Sequence, residues 1–179
     1  MAEPKTKTSE KKKPSAKEVA TTYFNAVRDQ DLDGMGSCWK PGSLDRLYGM
    51  ADLRAPDDIK AWFGNLFRAF PDFRLEVAEM VAYGEKAAVR WHATGTFTGP
   101  GRFEGITATG ASVELEGLDM LTIKDGKIVE NQAYTNGVEI GRQLGAMPPA
   151  GSLGEKAMTG MVNGRTAAAG LVKRLRERG

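Results

Sequence analysis

The chain has 179 residues, a hydrophobic content of 41% and a formal net charge of +2, enough for one domain with a sizeable core. No apolar run approaches the roughly 20 residues of a membrane span, the Lys-rich start lacks a secretory h-region, and a lone Cys38 excludes an intrachain disulfide, so a cytoplasmic protein is expected. Charge divides along the chain, with +4 over 1–17, −6 over 18–151 and +4 over 152–179, which argues against nucleic-acid binding through the acidic body and leaves any attraction to phosphate in the tails.

Residues 1–14 are rich in Lys, Thr, Glu and Pro without apolar periodicity, which predicts a disordered basic tail, either solubilising or a docking arm. Ser15-Ala-Lys-Glu18 has the pattern of a capping box and opens a helix with Val19, Tyr23, Ala26 and Val27 on one face. Asp31 to Trp39 reads as a second short helix, stopped by Pro41-Gly42. Pro56-Asp57-Asp58 starts a third, whose Ile59, Trp62, Phe63, Leu66, Phe67 and Phe70 form a broad apolar stripe ended by Pro71.

The period then changes from helical to alternating. Phe73, Leu75 and Val77 alternate with Arg74 and Glu76, and 86–98, 112–124 and 127–135 continue as strands. Asp125-Gly126 joins the last two, because this pair supplies the positive φ angles of a two-residue hairpin turn. The Gly- and Thr-rich 99–111 is a long connection able to act as a flap. Val138 to Leu144 is a short helix closed by Gly145.

These elements define a domain over 15–147, a Pro/Gly linker over 148–152 and a C-terminal helix over 153–179. Helices followed by a strand meander give α+β: a curved antiparallel sheet wrapped on N-terminal helices. The C-terminal helix spaces Met158, Met161, Val162, Leu171 and Leu175 helically and ends in Lys173, Arg174, Arg176 and Arg178. Packing against the body or a partner is expected ahead of membrane contact, since Gly160, Gly164 and Gly170 weaken it as an independent helix.

The hairpin Leu118–Tyr134, Phe70-Pro-Asp-Phe-Arg-Leu75, Val89–Gly99, the Gly105–Gly110 loop and Gly141-Arg-Gln-Leu-Gly145 together resemble the SnoaL-like polyketide cyclases of the nuclear transport factor 2-like superfamily, over about 16–147. The resemblance implies a cone-shaped α+β fold, a deep apolar pocket between helices and sheet, and a homodimer through the sheet. It also implies that the family's acid/base aspartate position is filled here by Ala133, with Asn131 and Gln132 beside it. Asp119 stands where such cyclases carry a pocket histidine, and Arg90-x-His92 resembles the Arg-x-Asp pair of epoxide hydrolases of similar fold.

Alternation puts Arg90 and His92 on one face of their strand, and Asn131 with Ala133 on one face of theirs. If Arg90, His92 and Asp119 converge, they supply an anion binder, a group titrating near neutrality and a carboxylate, a set suited to removing a proton α to a carbonyl. Asn131 is a further donor, and Tyr23, Trp39, Trp62 and Trp91 are the aromatics expected to wall a pocket for a hydrophobic small molecule. Ordinary core packing for the aromatics, and a buried Arg90–Asp119 ion pair, are the plainer alternatives. One His, one Cys and scattered acids lack metal-ligand spacing, and no cofactor motif is present. Three functions follow: a proton-transfer enzyme of cyclase or isomerase type, a non-catalytic binder favoured by Ala133, or an interaction module using the basic ends.

Overall fold

The computed structural model describes residues 13–176, and from 167 onward by backbone alone. The expected disorder of residues 1–12, and the basic end of the C-terminal helix as a surface, lie outside the described residues and side chains. Helix α1 (Ala16–Arg28) begins as its sequence predicts: Ser15 Oγ accepts from the Glu18 N–H while the Glu18 carboxylate accepts from the Ser15 N–H at 2.7 Å. It buries Val19, Ala20, Tyr23, Phe24 and Val27. Helix α2 (Leu32–Ser37) is capped by Asp31, whose carboxylate accepts from the Gly34 N–H.

The expected second helix over Asp31–Trp39 ends two residues early. Trp39 instead opens β1 (Trp39–Leu47), which forms a hairpin with β2 (Ala51–Arg54). Pro41 and the positive φ of Gly42 sit where the β1 register shifts between Trp39 and Leu44, so the helix-stop signal proves to be a bulge inside a strand. Helix α3 (Asp57–Ala69) follows, with its apolar stripe turned inward.

Strands β3 (Arg74–Tyr83) and β4 (Lys86–Thr96) pair antiparallel. A two-stranded ribbon of β5 (Arg102–Phe103) and β6 (Ile106–Thr107) forms within the 99–111 connection. The long strands β7 (Ser112–Lys124) and β8 (Lys127–Thr135) close on Asp125 and Gly126, both with positive φ as the turn requires. The main sheet runs β2-β1-β8-β7-β4-β3, with β1 parallel to β8 and every other neighbour antiparallel.

The result is α+β, a curved six-stranded sheet wrapped on the N-terminal helices. Helix α1 packs across β3, β4 and β7, and α2 joins α1 to α3. The core between helices and sheet includes Phe24, Ile59, Phe70, Phe97, Leu121 and Ile128, and burying each such side chain contributes roughly 1.5–3 kcal/mol. Helix α4 (Gly137–Gln143) stops near Gly145, and Arg142 pairs with Glu155 at the start of α5 (Leu153–Arg176). Leu153, Met161 and Val162 of α5 are exposed. Among the described residues no helix is long and apolar enough to cross a membrane.

Candidate active site

Register fixes what the inner face of the sheet presents. One cross-strand row is Val89, Asp119, Ala133 and Leu47; the next is Ala87, Leu121, Asn131 and Asp45. Above these rows lies a cavity of about 100 Å³. Tyr23 and Phe24 of α1, Trp62 and Phe63 of α3, Trp91 of β4 and Phe103 of β5 contribute to its wall, and Asp119 is the one carboxylate in that lining. The 99–111 connection thus brings an aromatic to the pocket: Phe103 packs edge-on against Trp62 and Phe70, and the Trp62 indole donates to Glu104 at 2.9 Å.

Asp119 is held from two sides. Trp91 Nε1 donates to Oδ1 at 2.8 Å and Asn131 Nδ2 donates to Oδ2 at 2.7 Å. Trp91 reaches Asp119 because its neighbour across the ladder is Gly117; a Cβ there would collide with the six-membered ring of the indole. Asn131 Nδ2 also donates to Asp45 Oδ1 at 3.0 Å, so a single amide bridges two buried carboxyl groups.

Burial sets the electrostatics. It pushes Asp119 up to about 6, against the opposing pull of the Trp91 and Asn131 hydrogen bonds. Asp45, with no exposed surface, is pushed up to about 7 by burial and then by the charge of Asp119, while Asn131 acts the other way. The Tyr23 hydroxyl is raised well above its ordinary value by burial and by both carboxyls. The Trp39 N–H, close by but without hydrogen-bond geometry, opposes this. At neutral pH the site therefore holds an ionised Asp119 beside a phenol that keeps its proton.

The expected convergence of Arg90, His92 and Asp119 does not occur. Arg90 and His92 flank Trp91 on β4, and since side chains alternate, Trp91 faces the pocket while both of them face outward. There Arg90 lies 3.7 Å from Glu79, and His92 Nε2 lies 3.0 Å from Glu114. No buried Arg90–Asp119 ion pair forms; Asp119 is held by neutral donors. Tyr23, Trp62 and Trp91 line the cavity, and Asn131 is buried beneath it on Asp119. Trp39 sits one layer behind, edge-on to Tyr23 at 5.8 Å. Among the described residues no group of three His, Cys, Asp or Glu is placed to hold a metal.

The model of one protein family, the SnoaL-like polyketide cyclases, matches residues 17–144. The chain belongs to that family. Solved structures agree on the cone of the nuclear transport factor 2-like superfamily. AclR, a candidate hydroxylase from Streptomyces galilaeus, is 24% identical, with a TM-score of 0.65 over 86% of this chain and 96% of its own. A candidate SnoaL-like polyketide cyclase from Jannaschia sp. CCS1 is 21% identical, with a TM-score of 0.66 over 78% and 99%. IdmH, a candidate polyketide cyclase from Streptomyces antibioticus, is 25% identical, with a TM-score of 0.61 over 74% and 99%. No curated protein matches by sequence. The fold and family are thus those of small-molecule enzymes.

Within this SnoaL-like protein, sequence reasoning missed Asp45 and Phe103. Asp45 lies in a strand hidden by Pro41-Gly42 and by the polar run Ser43-Leu-Asp-Arg46. Its only signal was the Leu47-Tyr-Gly49 turn toward Leu53, which marks a short hairpin. Phe103 is the one aromatic in a Gly-rich loop, and such a residue has to bury its ring against something.

Proposed function

We propose that this SnoaL-like protein binds a hydrophobic, carbonyl-bearing small molecule and transfers a proton α to the carbonyl, as an isomerase or cyclase does. The observation that carries this reading is Asp119: a single carboxylate in an otherwise apolar, aromatic-walled cavity. A base of this kind gains strength from its dry surroundings and still ionises below neutrality. Tyr23, beside it and neutral, is the group to donate a hydrogen bond to the oxygen that gains charge as the proton leaves. The cavity walls would hold the substrate by burial and exclude water.

One observation favours a second reading, in which the pocket binds a ligand without turning it over. Ala133 lies directly across the ladder from Asp119, and a methyl group at that position leaves one carboxylate fewer to move protons. The two readings separate in one experiment. The protein is incubated with α-tetralone in D2O and loss of the α-proton signals is followed by NMR. Exchange well above the buffer rate, abolished in Asp119→Asn with folding intact, is expected. Undiminished exchange in Asp119→Asn would sink the assignment of the base, and binding without exchange would favour the second reading.

The outer face of the sheet also supports a proposal. Leu118, Met120 and Tyr134 are adjacent there and each about 40% exposed, an apolar patch suited to a second copy of the chain. Sedimentation of the wild type should give a homodimer, and Leu118→Glu should yield monomers.

A further inference from the structure

Two polar atoms at the floor of the site have no hydrogen-bond partner: Asp45 Oδ2 and Asn131 Oδ1, both fully buried. They belong to side chains that already touch, since Asn131 Nδ2 donates to the other Asp45 oxygen at 3.0 Å. An orphan acceptor facing nothing is costly in a dry interior. Two orphan oxygens on one contacting carboxyl–amide pair have a common remedy, which is a proton between them. A carboxylic acid and a primary amide then form two antiparallel hydrogen bonds, N–H to carboxyl oxygen and O–H to amide oxygen. The amide's second N–H is left free to point elsewhere, and here it meets Asp119 Oδ2 at 2.7 Å. The reverse orientation of the amide would aim its oxygen at both carboxyls and need a proton on each.

The surroundings favour the same state. From α1 the facing titratable group is the Tyr23 hydroxyl, from β7 it is Asp119, and from β8 the neighbour is the neutral Asn131. The β2 partner is apolar Leu53, and Arg46, next in sequence, belongs to the opposite face of β1. Among the described residues no cation bears on Asp45. A second buried anion beside Asp119 would have only the shared amide to offset it, whereas one proton removes the conflict.

We propose that Asp45 is a positioning residue, held as a neutral carboxylic acid paired face to face with the Asn131 amide, which thereby aims one fixed N–H at Asp119 and keeps Asp119 the single anion of the pocket. The inference deepens the reading of Asp119 as the base and rests on it for its functional meaning. In the cycle Asp45 exchanges no proton with substrate; it fixes the donor that sets the basicity and direction of the Asp119 carboxylate.

The test is made on the full chain without substrate, so that it stands or falls separately from the ketone-exchange experiment. Aspartate carboxyl carbon-13 signals are followed by NMR from about pH 4 to pH 9. Asp45 is expected to keep the chemical shift of a protonated acid through the whole step in which Asp119 ionises, and to titrate only afterwards. Asp45→Asn is the conservative variant, because an amide restores both hydrogen bonds to Asn131; it should leave the Asp119 midpoint in place to within a few tenths of a unit. Asp45→Ala, which releases Asn131, should move that midpoint upward. An Asp45 carbon already at the carboxylate position at about pH 5 would overturn the proposal. So would Asp45→Asn lowering the Asp119 midpoint by about a unit, the effect expected if the aspartate were a charged neighbour. If Asp45→Ala does not fold, the wild-type titration and Asp45→Asn still decide.

Discussion

Strand β4 carries two chemistries on its two faces. Outward, Arg90 pairs with Glu79 and His92 with Glu114, with side chains from about a third to more than three-quarters exposed. Inward, Trp91 donates to Asp119, which is 94% removed from solvent and has no cation beside it. The outer face has the greater number of charges, and all of them remain partly open to water. Water screens an exposed ion pair until it contributes about 0–1 kcal/mol, whereas burial, joined at Asp45 by the charge of Asp119, displaces the inner carboxyls well above their usual range. What marks this as a candidate site is the withdrawal of solvent around one carboxylate, with neutral donors arranged to hold it.

The largest expected effect is the sharpest test of that contrast. Asp119→Asn removes the base at nearly the same volume, so α-proton exchange should fall by at least about 100-fold, the scale of a lost general base, with the fold retained. Wild-type exchange should also rise with pH through about 6, as Asp119 ionises, and level off above. Exchange that falls as pH rises through that point would reverse the assigned role and make the protonated acid the active form.

Next in size come the stabilities of the inner polar group. Asn131→Leu leaves Asp119 Oδ2 and Asp45 Oδ1 without their donor, and such losses cost about 3 kcal/mol. Urea unfolding at neutral pH should show it. The wild type should also lose stability as pH rises. Asp45 and Asp119 bind their protons more tightly folded, at about 7 and about 6, than in the unfolded chain, at about 4. Their contribution is therefore complete below about pH 4 and is lost as pH climbs through 7, a decline of a few kcal/mol. Asp72, held below its usual range by the N–H and hydroxyl of Thr96, acts at lower pH and does not mask this window. Asp45→Asn should flatten much of the slope; a slope unchanged in that variant would break the link between Asp45 and stability.

Gly117→Ala sharpens the comparison from the packing side. The added methyl displaces the Trp91 indole, with overpacking of about 1–3 kcal/mol and loss of one donor to Asp119. The carboxyl midpoint should move upward, opposite to what a new solvent path would do.

How much of this was legible follows the same physics. The Asp125-Gly126 turn, the Ser15 capping box and the bounds of β7 and β8 were readable because each depends on local sequence: a φ requirement, a three-residue spacing, a period of two. The pocket position of Asp119 was implied by the family resemblance, and Asp119 does line the cavity. The sign of the face on β4 was not. Alternation grouped Arg90 with His92 correctly but could not say which side was inward, since Val89, Trp91 and Ala93 are decided by what α1 and α3 press against. Asp45 was hidden for a stronger reason. Its strand contains Pro41 and Gly42 and pairs in parallel with β8 across more than 80 residues of chain, a relation that no local pattern records.

The smallest effects are expected where the charges are most numerous. His92→Ala and Arg90→Ala each remove one partner of an outer-face pair whose side chains remain in water, so each should change unfolding free energy by about 0.5 kcal/mol or less. Neither reaches the cavity lining, so α-proton exchange and the Asp119 midpoint should match the wild type. The intervening Trp91→Phe is the internal control: it keeps an aromatic ring on that face and deletes the indole N–H that donates to Asp119 Oδ1. If the inner face governs the chemistry, this substitution on β4 moves the Asp119 midpoint upward while both neighbouring truncations leave it alone. A midpoint that follows Arg90 or His92 instead would mean that charge reaches the site through the sheet, and the contrast between the faces would fail.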